Sequence, residues 1–336
     1  MNQKYTLRKI AEEAGISHIT VSRYFRAPDQ VAKKTRKKIE KILADTHYMP
    51  NRAASRLAGN NGKLISVIVP HLGRQIFGEF VEGADQAGKK YGYQLMFHTT
   101  HYDISEELNA VRAAIAQNVD AIISAGVSYD ETFLTMINNA QIPSILTLDI
   151  EAKIDLPKIG INAYMAAFSF ADTVLKRHDY KKIAYLNAKG PAAAYRWKKR
   201  YTGIVDAVKK HDKSLTVELN IDEMAEVETG MMLMEEALAQ EPHLDICFFG
   251  NDRLAIGGIN YCKSQNILVP EQISICGFND SPLSQYTTPS LTTIDVGYRN
   301  IGYRAVEHVI SYLENDIAIP SMTEMPYKIK LRNSTR

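Results

Sequence analysis

The sequence predicts an α/β protein in which a small, basic, helical N-terminal domain precedes a larger core of parallel β-sheets. Three observations support this prediction. Residues 6–46 contain helical patterns joined by a glycine turn. From Leu64 onward, short apolar runs alternate with amphipathic stretches, which is typical of parallel sheets covered by helices on both faces. The length of this second region, from residue 64 to 336, indicates two lobes rather than one.

Charge divides the chain at the same place. Residues 1–63 contain 14 Lys and Arg but 5 Asp and Glu, whereas the remainder contains 26 basic and 33 acidic residues. This asymmetry indicates a polyanion-binding segment joined to a mildly acidic body. The basic cluster at residues 33–38 is also compatible with a solvated charged helix, so charge alone leaves both interpretations open.

The N-terminal pattern predicts a helix-turn-helix. Thr6 is placed to cap a first helix, and Gly15 supplies the left-handed residue that ends it. Ser17 is placed to cap a second helix. Small Ala11 lets the two helices approach, while Val21 closes the small core between them. A third helix is predicted over residues 32–46. The combination of caps, glycine and basic flank predicts DNA binding.

The second helix is expected to lie in the major groove with its N-terminal residues over the base edges. Arg23 is the strongest candidate for a bidentate contact with guanine, whereas Ile19 offers only an apolar contact to a thymine methyl. The hydroxyl residues are better placed to contact phosphates, and such contacts position the protein on the DNA without specifying the base sequence. The predicted DNA contacts of this region are Thr6, Ser17, His18, Ile19, Thr20, Ser22 and Arg23.

A short helical segment follows. Pro50 starts it, and the glycines at positions 59 and 62 stop it. A helix of two turns is marginal by itself, so we expect it to become ordered only when docked.

The core contains polar residues directly after predicted strands, at the sheet edge where ligands of such folds bind. Strands are predicted over 64–69, 94–98, 121–124, 144–148, 182–186, 246–249 and 273–276, with helices including 77–91, 106–117 and 253–264. Asp149, Asn251 and Asn279 each follow one of these strands.

Specific motifs carry a family resemblance. The run Ala-Gly-Ile-Ser-His-Ile-Thr-Val-Ser-Arg at 14–23, followed by Tyr-Met-Pro-Asn-Arg at 48–52, resembles the lac repressor (LacI/GalR) family. The resemblance extends along the chain to Leu-Arg-Asn-Ser-Thr at 331–335. Residues 70–77 and 92–96 are similar to the repressors of gluconate and idonate utilisation. Lys9 departs from the acidic residue usual in the family, which weakens capping of the first helix.

The resemblance implies that residues 51–58 form a hinge helix in the minor groove at the operator centre. Leu57 would be the apolar wedge that kinks the duplex, with Ala54 close to the groove floor; alternatively, Leu57 packs on the body. The implied hinge contacts are Asn51, Arg52, Ala54 and Leu57.

The resemblance also implies a core like the periplasmic sugar-binding proteins, with two lobes and three crossovers. The implied domains are a headpiece at 1–50, a hinge and linker at 51–63, and an effector-binding and dimerisation core at 64–336. Within the core, the N-lobe would be 64–161 with 291–319, and the C-lobe 162–290 with 320–336.

Effector contacts carried over by position suit a hydroxyl-rich ligand, and an amide-rich set with arginines favours a sugar acid over a neutral sugar. Asp149 and Asn279 are equally compatible with turn capping, and Phe77 with the core. Arg74 is alternatively a solvent or dimer-interface residue. Asn279 replaces an aspartate commoner in the family. The predicted effector contacts are Arg74, Gln75, Phe77, Asp149, Asn162, Arg200, Asn251 and Asn279.

These features predict a cytoplasmic homodimer that represses transcription from a pseudo-palindromic operator and leaves the DNA when a small sugar or sugar-acid effector binds. The alternatives are a regulator that needs a co-repressor and a ligand sensor without DNA readout. A dehydrogenase is not supported, because Gly-x-Gly-x-x-Gly is absent after the first core strand. Three scattered cysteines in apolar surroundings predict buried thiols. We expect no cofactor, metal, catalytic residue or membrane span.

Overall fold

A computed structural model describes residues 6–26, 28–46, 48, 62–125, 131–189 and 194–336. The chain divides into two compact units, Met1–Gly62 and Lys63–Arg336. Four predicted hinge contacts, Asn51, Arg52, Ala54 and Leu57, lie outside the described residues.

The N-terminal unit is the predicted helix-turn-helix. It contains α1 (Leu7–Ala14), α2 (His18–Arg26) and α3 (Lys33–Thr46). Thr6 Oγ1 accepts a hydrogen bond from the Lys9 amide at 3.3 Å, and Gly15 ends α1 in the left-handed region at φ 64°. Ala11 and Val21 are buried between the helices, with Ile39 of α3 closing the core. The three-helix headpiece predicted from caps and apolar spacing is therefore confirmed.

The core unit contains two parallel sheets and a two-stranded antiparallel sheet formed by its tenth and twelfth strands. In chain order, its strands are β1 (Leu64–Val69), β2 (Gln94–Thr99), β3 (Ala121–Ser124), β4 (Ser144–Thr147), β5 (Lys158–Gly160), β6 (Ile183–Ala188), β7 (Leu215–Ile221), β8 (Ile246–Phe249), β9 (Ser274–Cys276), β10 (Thr293–Asp295), β11 (Met322–Glu324) and β12 (Lys328–Lys330). The N-lobe sheet has the order β11-β5-β4-β3-β1-β2, and the C-lobe sheet has the order β7-β6-β8-β9. Strands β3, β4, β6 and β8 are buried along their whole length, as expected for parallel strands covered on both faces.

Helices cover both sheets. They are α4 (Gln75–Tyr91), α5 (Ile104–Ala116), α6 (Glu131–Ala140), α7 (Ala163–Leu175), α8 (Ala194–Lys210), α9 (Val227–Gln240), α10 (Asp252–Ser264) and α11 (Tyr298–Asn315). The pairs α4–α11, α7–α8 and α9–α10 make the most extensive helix contacts. No helix in the described part of the chain has the length and apolarity needed to cross a membrane.

The chain passes between the lobes three times, and two of the passages differ from the predicted positions. The first lies between β5 and α7, as expected. The second lies after Asp295, because residues 292–295 still run beside β9 of the C-lobe. The third lies after Glu324, because β11 pairs with β5 of the N-lobe. The second and third passages therefore lie a few residues after the boundaries predicted near 290/291 and 319/320. The strands next to these two passages, β10 and β11, are three residues long and include polar residues, so no apolar run in the sequence marks them.

Close backbone packing joins α4 to α11. A Cβ atom built on Gly83 would lie 1.9 Å from the Arg299 carbonyl oxygen, and one built on Gly302 would lie 2.0 Å from the Phe80 carbonyl oxygen. Only glycine permits this approach at either position, so the two helices are held backbone to backbone.

Replacing Gly83 with alanine is expected to lower the free energy of unfolding by roughly 1–3 kcal/mol, because the helices must separate to admit the methyl group. Gly78→Ala in the same helix is the matched control, since the nearest atom to its built Cβ is the Leu72 carbonyl oxygen at 4.0 Å. The control is expected to be neutral or stabilising by up to about 1 kcal/mol. Urea unfolding of both variants measures the difference. Equal midpoints would contradict the packing argument.

Candidate DNA interface and ligand cleft

The second helix of the headpiece presents an accessible reading surface. Ile19 is 64% exposed despite being aliphatic, while Val21 on the opposite face is fully buried. His18 and Arg23 are also exposed. Because Val21 packs in the core, the rotation of α2 about its axis is fixed, and the side chains of His18, Ile19 and Arg23 are exposed to solvent. A helix of this kind is suited to enter a major groove.

The hydroxyl residues at the start of α2 are engaged with each other. The Ser17 Oγ accepts a hydrogen bond from the Thr20 amide at 3.2 Å. The Ser17 and Thr20 hydroxyls also lie 2.8 Å apart. This cap confirms the predicted start of the helix. Ser22 is half-buried, and Thr6 is an exposed cap of α1.

A cleft of about 180 Å³ lies at the carboxyl ends of strands in both lobes. It is bordered by residues that follow β1, β6, β8 and β9, as expected for ligand sites of parallel sheets. Six of the eight predicted effector contacts line it: Arg74, Gln75, Phe77, Arg200, Asn251 and Asn279.

Arg200 is held rigidly at the wall of this cleft. Its Nη1 atom donates to the Gly250 carbonyl oxygen at 3.0 Å. Its guanidinium carbon lies 5.0 Å from the centre of the Phe278 ring. Within the described residues, no carboxylate makes a salt bridge with Arg200. The fork is therefore oriented by a carbonyl and a ring, and its charge is available to an anionic ligand.

Two amides border the cleft at the ends of β8 and β9. The Asn251 side chain caps α10 by accepting from the Leu254 amide at 3.1 Å. The Asn279 Oδ1 accepts from the Tyr298 hydroxyl at 2.7 Å. Asn279 has a φ of 116°, a conformation that is unusual for a residue with a side chain. The hydrogen bond to Tyr298 ties the amide of the C-lobe to the first turn of α11 in the N-lobe.

The N-lobe side is formed by the start of α4. The Gln75 Nε2 donates to Glu79 Oε1 at 2.8 Å. Phe77 is only 1% exposed and packs in the core, with its ring edge-on to Tyr102 at 6.4 Å. Phe77 therefore packs in the core and also borders the cleft, so its contact with an effector stays a prediction. Arg74 faces the cleft and makes a salt bridge with Glu226 at 3.0 Å.

The sequence did not single out several other residues of the lining. Two are cations, Lys189 and Arg253, and four are aromatic, Tyr102, Trp197, Phe278 and Tyr298. Lys189 lies 5.7 Å from the Trp197 ring centre. The same signal that predicted Asn251 was present for Lys189, because it directly follows β6. Nothing in the local pattern marks the aromatic residues as cleft residues rather than core.

Asp149 and Asn162 do not line the cleft. The Asp149 Oδ1 accepts from the Glu151 amide at 2.9 Å, which stabilises the turn after β4. The Asn162 Oδ1 accepts from the Met165 amide at 2.9 Å and caps α7. Short polar side chains after strands serve local backbone groups as readily as ligands, and these two predicted contacts do so here.

Comparison with known proteins places this architecture in a family. Residues 6–51 match the family model for bacterial regulatory proteins of the lacI family, and residues 173–335 match that for the periplasmic binding protein-like domain. The HTH-type transcriptional regulator IdnR of Escherichia coli strain K12 is 30% identical over 98% of both chains. The chain belongs to the LacI family of transcriptional regulators.

Solved LacI-family structures agree with this assignment. A LacI-family transcriptional regulator from Silicibacter pomeroyi is 28% identical, with a TM-score of 0.87 over 99% of this chain and 100% of that one. The lac repressor dimer bound to operator and the anti-inducer ONPF has a TM-score of 0.88 over 99% of each chain, but at 22% identity it shows the fold alone. The predicted family and its IdnR-like subgroup are confirmed.

Membership in the LacI family decides between the function classes. Its members are transcription factors, so the dehydrogenase alternative is excluded. The three cysteines, Cys247, Cys262 and Cys276, are buried as predicted. Within the described residues, no cluster of three or more His, Cys, Asp or Glu side chains is arranged to bind a metal ion.

One acidic group borders the cleft of this LacI-family protein. Asp252 is fully buried, and burial raises its pKa to about 6 although it accepts hydrogen bonds from Thr293 Oγ1 and the Ser281 amide, both at 2.5 Å. The folded protein therefore binds a proton at Asp252 at pH values where the unfolded chain does not.

Asp252→Asn is expected to remove a pH dependence of stability. In the wild type, the contribution of Asp252 should decline as the pH rises from about 4 to about 6, by at most about 3 kcal/mol, and then remain level. The variant lacks this decline, so its unfolding free energy should rise relative to that of the wild type as the pH increases over that interval. Chemical unfolding at pH 4.5, 5.5 and 7 provides the test. Parallel pH profiles would show that Asp252 is ionised throughout.

Proposed function

We propose that the protein is a cytoplasmic, homodimeric repressor of a sugar-acid utilisation operon, and that a polyhydroxy acid such as gluconate releases it from its operator. The observation that supports an acidic effector is the charge of the cleft. Among the lining residues described, Arg74, Lys189, Arg200 and Arg253 are basic, and Asp252 alone is acidic. Carboxylates just outside this lining pair with three of these cations, Glu226 with Arg74 and Arg253, and Asp222 with Lys189. Arg200 makes no salt bridge within the described residues, so its charge is the one most directly available to an anion. The Asp252 carboxylate, with a pKa of about 6, is ionised near neutral pH, but it is engaged by hydrogen bonds from Thr293 Oγ1 and the Ser281 amide.

The remaining wall of the cleft suits the other parts of such a ligand. Amides of Asn251, Asn279 and Gln75 can donate to or accept from hydroxyl groups. The rings of Trp197 and Phe278 offer apolar faces to the carbon chain. A carboxylate bound by arginine and hydroxyls bound by amides together describe a sugar acid better than a neutral hexose.

The DNA side of the proposal depends on α2 and on the hinge segment. Arg23, His18 and Ile19 would read base edges, while Thr6, Ser17, Thr20 and Ser22 would contact phosphates. Asn51, Arg52, Ala54 and Leu57 would engage the minor groove. Dimerisation is proposed because the lac repressor, which shares the fold, binds its operator as a dimer. Two headpieces then match a pseudo-palindrome.

Effector-dependent release of DNA tests the function. Fluorescence anisotropy of a labelled operator, selected in vitro from random sequences, would be followed while gluconate, gluconate 6-phosphate or glucose is added. The acids are expected to release the DNA and glucose is not. Arg74→Ala should weaken the response to acids, whereas Arg112→Ala on the exposed face of α5 should not. Release by glucose alone would refute the sugar-acid proposal, and tighter operator binding with acid would identify a co-repressor.

A further inference from the structure

A glutamate of the protein itself bridges the two arginines at the cleft. Glu226 Oε1 lies 3.0 Å from Arg74 Nη2, and Glu226 Oε2 forms a short salt bridge with Arg253 Nη1. Both carboxylate oxygens are therefore engaged, each by a different guanidinium. The side chain is 39% exposed and contacts two arginines of the lining, so its carboxylate lies beside the cleft rather than in the core.

The bridge connects the two lobes. Arg74 immediately precedes α4 of the N-lobe, whereas Glu226 precedes α9 and Arg253 lies in the first turn of α10, both in the C-lobe. The sequence separation between the Arg74 and Glu226 side chains is 152 residues. The interaction therefore depends on how the lobes face each other and has no local origin.

The position of Glu226 offers its carboxylate a local alternative that it does not use. It occupies the N-cap position of α9, where an acidic side chain commonly accepts from a backbone amide. Its side chain makes no such capping hydrogen bond. Instead the carboxylate is directed at two cations that line the ligand cleft.

We propose that Glu226 is a specificity-determining residue that mimics the carboxylate of the effector, holding Arg74 and Arg253 until an acid displaces it. The inference deepens the proposed function, since it assumes that anions enter the cleft. Ligands without a negative charge cannot replace the glutamate at both arginines. Glu226 thus sets the concentration of acid needed to occupy the cleft and penalises ligands that pair weakly with arginine.

The substitution Glu226→Gln removes the competing charge while keeping the shape of the side chain. We expect it to raise gluconate affinity about tenfold, a change of about 1.4 kcal/mol, and to leave glucitol affinity unchanged. Glu223→Gln is the matched control, because it removes an exposed carboxylate from the same loop and should change neither affinity. Isothermal titration calorimetry of the full chain measures all three proteins. If wild type binds gluconate, unchanged or weaker gluconate binding by Glu226→Gln would overturn the inference.

Inorganic sulfate separates this inference from the identity of the effector. If Glu226 occupies the arginines, Glu226→Gln should gain thermal stabilisation by sulfate relative to wild type and to Glu223→Gln. Such a gain, together with wild-type protein that binds glucitol but no gluconate, would support the role of Glu226 and refute the sugar-acid effector. No gain with sulfate would refute the role of Glu226, whatever the effector proves to be.

Discussion

Replacing Arg23 with alanine is expected to abolish discrimination at one base pair of each half-site. A bidentate arginine–guanine contact provides roughly 1–3 kcal/mol of discrimination. A dimer uses the contact twice, so the loss on a symmetric operator should reach about 2–6 kcal/mol if the half-sites act independently. The structure supports this large effect, because Arg23 is exposed on the same helix as Ile19 and no carboxylate among the described residues pairs with it.

The measurement compares the selected operator with variants carrying each base pair at every position. Arg23→Ala should bind the operator and the variants changed at the base pair that Arg23 contacts with equal affinity. Its base preferences at all other positions should be the same as those of the wild type. Arg8→Ala is the control, since it removes another exposed cation of the headpiece, one on α1 whose salt-bridge partner among the described residues is Glu12 at 3.5 Å. Uniform weakening on every sequence would instead make Arg23 a phosphate contact.

Replacing Arg200 with methionine is expected to lower gluconate affinity by more than about 100-fold, because losing one partner of a desolvated charge pair costs about 2–5 kcal/mol. The methionine keeps a stem to pack on Phe278 but has no group to share the carboxylate with Arg74 and Arg253, the arginines that Glu226 holds in the absence of ligand. Operator binding without effector should be unchanged. The gluconate affinity of Arg200→Lys should lie between those of wild type and Arg200→Met, because lysine keeps the charge and loses the planar guanidinium.

Lys198→Met in the same helix provides the control, because Lys198 is exposed and does not line the cleft. Gluconate affinity that survives in Arg200→Met would indicate that the arginine serves only the structure, through the Gly250 carbonyl and the Phe278 ring. A stability loss without an affinity loss, measured by thermal unfolding, would support the same conclusion.

Local chemistry explains which parts of the fold were predictable. Thr6, Gly15 and Ser17 form hydrogen bonds with backbone groups within four residues, so their roles could be predicted from the adjacent sequence. Long apolar strands such as Leu64–Val69 and Ile246–Phe249 were predicted with their observed bounds. Strands β10 and β11 were missed because they depend on partners far along the chain, β12 and β5, rather than on apolar content.

The cleft was predictable in part for the same reason. Asn251 and Asn279 follow strands, and the topology brings the ends of parallel strands together. That rule also selected Asp149, which instead stabilises a turn, because position after a strand does not fix where a side chain points. The Glu226 bridge had no sequence signal, since charged residues are common and only the tertiary structure brings this glutamate to two arginines.

The glycine contacts between helices have a mechanical consequence. Gly83 and Gly302 lock α4 to α11, and Gly230 comes as near to the Leu254 carbonyl oxygen, at 2.1 Å from a built Cβ, locking α9 to α10. Helices packed this closely cannot slide past each other, so we expect each lobe to move as a rigid body. Motion produced by a ligand is then confined to the three passages between the lobes. One of these contains Gly297, which adopts a left-handed φ of 71° and, because it lacks a Cβ atom, has the backbone freedom that a pivot needs.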